Sequence, residues 1–213
     1  MRHEYKTIGI ASILVALNIV LMSFIAFTPL SAVTAYVFNH LILGVLFFGV
    51  MISGGVWIAK SGIKNNNNSK AFIGTGILQF AYGLFGGGIL SLAPANLMPI
   101  ILGITFVLSL GIAVASAALV YFTKRDFSSW NMYSTYIFLG VAGMALFGTF
   151  LPFFEAITFF LALIGFIVYL VYEIYILRTR EASPLMNGLG IYIAFMGVFV
   201  QVLQLVIRYY LEE

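Results

Sequence analysis

One carboxylate stands alone inside a long apolar run. Glu173 is the only charge between Ala156 and Leu177, and it precedes Arg178 by five residues. On a helix that places it about 7–8 Å in from the end, at 1.5 Å rise per residue. Two uses fit a carboxylate at such a depth. It reaches back to the interface beside Arg178 or Arg180, or it faces inward as a proton-titrating or cation-contacting group. Further along, Ala194, Gly197, Gln201, Gln204 and Arg208 recur at spacings of 3, 4, 3 and 4 residues. That period puts all five on one helical face. The face is small and then polar, and Phe195, Phe199, Val202 and Leu203 fall elsewhere. Such a stripe points into a bundle, where it makes interhelical hydrogen bonds or lines a cavity or ion path.

The remaining polar residues inside apolar segments carry less chemistry. Asn18 and Gln79 read as packing hydrogen bonds. His3 and His40 sit near segment ends and read as neither ligands nor bases. Glu155 is placed to complement a helix N-terminus, where negative charge is favoured. No Ser/His/acid set, no His-Glu-x-x-His pattern and no intramembrane aspartate pair is present. The last apolar segment has no lysine for a retinal Schiff base, and Gly86-Gly87-Gly88 is followed by no Lys-Ser/Thr, so it is no phosphate loop. With no cysteine, thiolate zinc sites, thiol nucleophiles and disulfides are absent too. The expectation is a protein that is not an enzyme, with no cofactor and no firm metal site.

The elements that hold these residues follow from composition. Of 213 residues 62% are hydrophobic and 8% charged, against about 25% charged in a soluble domain. Mean hydropathy is +1.10. Such a chain is solvated by the lipid bilayer, and a soluble enzyme or nucleic-acid binder is excluded. Residues 7–59 and 71–123 contain no charge, 53 residues each. One helix of that length would run about 80 Å, whereas a bilayer core takes about 20 residues per crossing. Each block therefore holds two spans and a turn, at Pro29-Leu30-Ser31 and at Ser91–Pro99. Three further segments complete an all-α, polytopic membrane domain over residues 1–213. Its seven spans are expected at about 7–28, 36–59, 71–91, 99–122, 130–151, 156–177 and 187–209. The first is too long for a signal-peptide core and reads as a retained span. A six-span arrangement with a re-entrant last segment is the alternative.

Nine of the ten Lys and Arg residues fall in segments that seven spans place on the N-terminal side: Arg2, Lys6, Lys60, Lys64, Lys70, Lys124, Arg125, Arg178 and Arg180. Only Arg208 falls opposite. The positive-inside rule then gives a cytoplasmic N-terminus and an outside C-terminus. The Asn65–Asn68 run reads as a polar linker. The many glycines of the third to fifth spans read as close-packing positions, and Gly86-Gly87-Gly88 as a place where the third span can bend.

Three stretches together resemble the Bax inhibitor-1 (transmembrane Bax inhibitor motif) family. They are Phe80-Ala81-Tyr82-Gly83-Leu84, the loop Thr123-Lys124-Arg125-Asp126-Phe127-Ser128-Ser129-Trp130, and Tyr169–Glu173 followed by Ile191–Phe195. Asp126 or Ser128 is placed to cap the helix that follows the loop. The resemblance spans about residues 70–210 and points to a prokaryotic member in the plasma membrane. It implies seven helices with the seventh central, and a pH-sensitive calcium leak. In that family an acid on helix six and another on helix seven share protons and hold a basic latch. Glu173 matches the first acid, while Ala194 falls on the second, so the partner acid is missing. No arginine latch is evident near the second span, where only Lys60, Lys64 and Lys70 lie. The resemblance thus implies Glu173 as titrating gate and weak Ca²⁺ contact, Gln201 and Gln204 along the ion pathway, and Arg208 at its outer end. Calcium prefers six to eight oxygens, so one carboxylate holds it weakly, as suits a permeant ion. Similar members that lack the second acid imply an alternative: a membrane interaction protein that modulates an AAA-type membrane protease and transports nothing. For that reading Met1–Lys6 matters more than Glu173.

Overall fold

The computed structural model describes residues 2–39, 41–123, 125–148, 152–179 and 181–212. They form α1 (Arg2–Ala26), α2 (Leu30–Asn39), α3 (Leu41–Lys64), α4 (Asn68–Leu90), α5 (Met98–Phe122), α6 (Trp130–Gly148), α7 (Pro152–Thr179) and α8 (Pro184–Glu212), with no strand among the described residues. His40, Lys124 and Arg180 lie outside the described residues, as do Met1 and residues 149–151, and nothing is described of the Glu155 side chain.

The first charge-free block holds the expected pair of crossings, one in α1 and one in α3. The chain turns at Phe27–Pro29, and helix resumes at once from Leu30. The second crossing, Leu46–Lys64, begins later than the expected 36 and ends at Lys64 rather than near 59. The asparagine run sets that end. Asn66 takes a left-handed φ of 52°, Asn67 N–H returns to the Gly62 carbonyl at 2.8 Å, and the Asn67 side chain accepts from Lys70 N–H at 2.9 Å as the α4 N-cap. Asparagine tolerates that backbone and caps well. The stretch read as a plain linker is a tight helix-to-helix turn.

Among the described residues six helices are long and apolar enough to cross a membrane by length and composition: His3–Ala26, Leu46–Lys64, Asn68–Leu90, Met98–Phe122, Ala156–Thr179 and Pro184–Leu211. The fifth expected span, α6, is not among them. Its expected bounds, about 130–151, run past the end of α6 at Gly148 into residues 149–151, which lie outside the described residues. The last segment, for which a re-entrant path was the alternative, is one continuous helix of 29 residues.

That last helix is the centre of the bundle. Within its apolar window 83% of residues are buried, against 17–56% for the other five. Helix α8 supplies Val198 and Leu203 to one apolar cluster and Tyr192 and Phe199 to the other. The outer surface is apolar as well: Phe122 and Phe72 are 88% and 81% exposed, as expected where lipid is the solvent. Glycine seats the neighbours. A methyl at Gly74 would overlap the Ala59 backbone of α3, and methyls at Gly86 and Gly87 would meet Met22 and Ile25 of α1. Helix α4 runs unbroken through Gly86–Gly88, and Gly86 and Gly87 are places of close packing against α1. By contrast Gly76, Gly103, Gly111, Gly140 and Gly143 have nothing within 4 Å of such a methyl, and close approach does not explain them.

Side-chain contacts gather the basic chain segments at one end of the bundle. His3 Nε2 lies 3.0 Å from the Ala182 carbonyl, and the Arg178 guanidinium donates to the Val120 and Thr123 carbonyls. These ties bring the start of α1, the end of α5 and the α7–α8 connection together. At the same end, Asp126 accepts Ser128 N–H at 2.8 Å. Because α6 starts at Trp130, this bond closes a turn ahead of the helix instead of capping it. The Ser128 backbone donor, with the Ser128 and Tyr175 hydroxyls, holds the exposed Asp126 carboxyl below its usual value.

Candidate functional site

Glu173 faces inward. It is 4% exposed, deep in the last two turns of α7, and α8 closes over it. Asn187, in the first turn of α8, donates its side-chain amide to the Glu173 carbonyl at 2.9 Å and to Oε2 at 3.2 Å. A methyl at Gly190 would overlap the Glu173 carboxylate. Gly190 is therefore the position on α8 that makes room for the acid. One turn back on α7, the Tyr169 hydroxyl hydrogen-bonds the carboxyl and accepts from Lys60 Nζ at 3.3 Å. Lys60 Nζ also lies 3.8 Å from Glu173 Oε1. The site is thus one buried carboxylate held by an ammonium, an amide and a phenol on three helices. Buried charge needs such partners.

The residues expected to work together fall at two levels of α8. Ala194, where a second acid was expected to be missing, is fully buried in the apolar cluster that also holds Phe166 and Leu170. A methyl at Gly197 would overlap the Phe166 ring. Gln201 lies eleven residues beyond Gly190, about 16 Å along the helix. It is buried at 7% exposure with Oε1 lacking a hydrogen-bond partner. Gln204 is half-buried, and the exposed Arg208 guanidinium sits 5.6 Å from the Phe159 ring centre. The stripe does point inward over its first three positions, but it does not reach the Glu173 level.

Two cavities lie between α3 and α6, each at one of these levels. One, of about 820 Å³, opens beside Lys60, Lys64 and Tyr169. The other, of about 840 Å³, is lined by Gln201, Gln204 and Arg208. They share Ile52, Ser53, Thr135, Phe138 and Phe166 as common wall, and the Phe138 and Phe166 rings are 4.8 Å apart there. A second polar cluster is structural. Asn18 donates to Gln79 Oε1 at 2.8 Å and lies 3.0 Å from the Tyr192 hydroxyl, while Tyr82 donates to the Ile193 carbonyl at 2.8 Å. It ties α1 and α4 to α8, in line with the packing role expected of Asn18 and Gln79. Among the described residues no group of three or more His, Cys, Asp or Glu side chains gathers to hold a metal.

Four members of the site carried no sequence signal strong enough to single them out. Lys60 read as a topology charge like Lys64 and Lys70. Tyr169 entered only as part of a motif, and Asn187 and Gly190 not at all. The available signal was Asn187-Gly188-Leu189-Gly190, an amide and two small residues opening an apolar span fourteen residues after a lone acid.

The family model described as inhibitor of apoptosis-promoting Bax1 matches residues 1–209 of the chain. No curated protein matches it.

Proposed function

The chain belongs to the Bax inhibitor-1 family, and from that premise we propose that it is a pH-sensitive cation leak, with Ca²⁺ as the permeant ion and Glu173 as the gate. The observation that carries the reading is the buried Glu173 carboxylate held by Lys60 across α3 and α7 at 3.8 Å. Lys60 takes the place in which a basic latch was missing from the sequence. Protonation of Glu173 removes the charge that holds the ammonium. The end of α3 then loses its tie to α7, and the space between them widens. Asn187 Oδ1, buried and without a hydrogen-bond partner, offers a neutral oxygen beside the protonated Glu173 carboxyl. Together they make a weak, oxygen-only contact for a passing divalent cation. On α8, Gln201 and Gln204 supply the amides of the far half of the path, and Arg208 stands at its far end. The basic end of the bundle faces the cytoplasm of a prokaryotic plasma membrane by the positive-inside rule.

The test is Ca²⁺ entry into dye-loaded proteoliposomes at pH 6 and pH 8. The reading expects pH-dependent entry in the unaltered protein and pH-independent entry in Glu173→Gln. Folded protein that gives no flux above empty liposomes at either pH overturns it. Capture of an AAA-type membrane protease that depends on residues 1–6 would then support the non-transporting alternative.

A further inference from the structure

The cavity beside Lys60 is graded from end to end. Ile52, Val56, Lys60 and Lys64 follow one another at four-residue spacing, so one face of α3 runs from apolar to cationic over about 18 Å, and all four line the cavity. Ser61, Asn65 and Asn131 line its cationic end, and Phe138 and Phe166 its apolar end. No carboxylate is among the described lining residues. Lys70 adds a third cation at this end, with Nζ 2.9 Å from Ser61 Oγ and 5.1 Å from the Trp57 ring centre. Trp57, also in the wall, is 69% exposed on the outer surface, where an aromatic belt residue meets the lipid interface.

We propose that this cavity is a binding site for an anionic phospholipid of the leaflet at the basic end. Its phosphate sits between Lys60 and Lys64, and an acyl chain lies along Ile52, Val56 and Phe138. Charge complementarity selects the headgroup: among the described residues of the wall the charged side chains are ammoniums, four residues apart on one helix face. The apolar half selects a lipid over a free phosphate ion, which would leave that half uncovered. Basic pockets between transmembrane helices take lipid headgroups in this way. The site deepens the function proposed above, because Lys60 is also the partner of Glu173. A phosphate that draws on Lys60 loosens the same latch that protonation releases. Lipid binding itself needs no flux, so the two readings fail separately.

The test uses the full chain in nanodiscs of phosphatidylcholine and phosphatidylglycerol. The chain has two tryptophans, and Trp130→Phe leaves Trp57 as the only reporter. Quenching by brominated-chain phosphatidylglycerol is compared with quenching by brominated-chain phosphatidylcholine. The expected result is stronger quenching by the anionic lipid, with the preference falling about five-fold in Lys64→Gln and vanishing in the Lys60→Gln, Lys64→Gln double variant. Lys64→Gln leaves the Lys60–Glu173 pair in place, so a folding defect at the latch does not confuse the reading. Lys6→Gln, at the same end but outside the cavity wall, leaves the preference unchanged. Equal quenching by the two lipids overturns the proposal, and so does an equal loss in Lys6→Gln. Loss of the preference on adding inorganic phosphate at matched ionic strength would assign the lysines to a free anion and overturn it as well.

Discussion

Replacing Gly190 by alanine tests the site at its tightest point. The added methyl overlaps the Glu173 carboxylate. The carboxylate is the end of a flexible side chain, so the backbone stays and the acid swings away. It then gives up the Asn187 amide, now at 3.2 Å, and Lys60, now at 3.8 Å. A hydrogen bond to a buried charged group contributes about 1.5–3 kcal/mol. The Lys60 side chain is 36% exposed, so solvent screening holds its share to at most about 1 kcal/mol. Less the roughly 1 kcal/mol of helix propensity that a Gly→Ala change gains, the expected net loss is about 1–3 kcal/mol, or a Tm lower by about 2–12 °C for a chain of this size. Thermal unfolding in detergent, followed by size-exclusion fluorescence, reads it. Gly76→Ala, with nothing within 4 Å, is the control and gains up to about 1 kcal/mol of helix propensity. A double-mutant cycle sharpens the test: in a Glu173→Ala background the new methyl meets no carboxylate, so the Gly190→Ala loss shrinks towards zero. Equal Tm values for Gly190→Ala and Gly76→Ala would refute the geometry, and so would strict additivity in the cycle.

Other changes follow from the same contacts. Gly74→Ala puts its methyl against the Ala59 backbone, which cannot swing aside, so it lowers Tm further than Gly190→Ala in the same assay. Asn18→Leu removes the bonds to Gln79 and Tyr192 and costs about 1–2 kcal/mol; prior Tyr192→Phe reduces that cost, measured as a cycle. Asp126 is held below its usual 3.8 chiefly by the Ser128 backbone donor. Its contribution is complete above that value and is lost as pH falls through the lower folded-state value. Hydrogen exchange at the Ser128 amide should thus be protected near neutral pH and lose protection under acid, with Asp126→Ala unprotected at both.

The spans were legible because charge is so scarce: each uncharged block had to be folded to bilayer length, and Lys and Arg marked which ends sit together. The immediate return to helix at Leu30 was not, since the chain is apolar on both sides of the Phe27–Pro29 turn and hydropathy does not mark where the next helix starts. The turn at Asn65–Asn67 was hidden as low complexity, though asparagine suits both the left-handed turn and the N-cap. Glu173 stood out as the one charge in its span. Its partners did not, because they come from α3 and α8, at 113 and 14 residues' distance, and only tertiary packing selects Lys60 over Lys64. The inward stripe of α8 was right in direction, but its period said nothing of depth. Gln201 therefore proved to lie about 16 Å from the carboxylate level.

Spin-label distances across the latch test the central claim most directly, and a chain without cysteine permits clean labelling. With labels at Asn65→Cys and Glu181→Cys, both exposed, the account predicts one short, narrow distance at pH 8 and a longer population at pH 6. In Glu173→Gln it predicts the longer population at both values. A distance that ignores pH in the unaltered latch, or stays short in Glu173→Gln, would contradict the account.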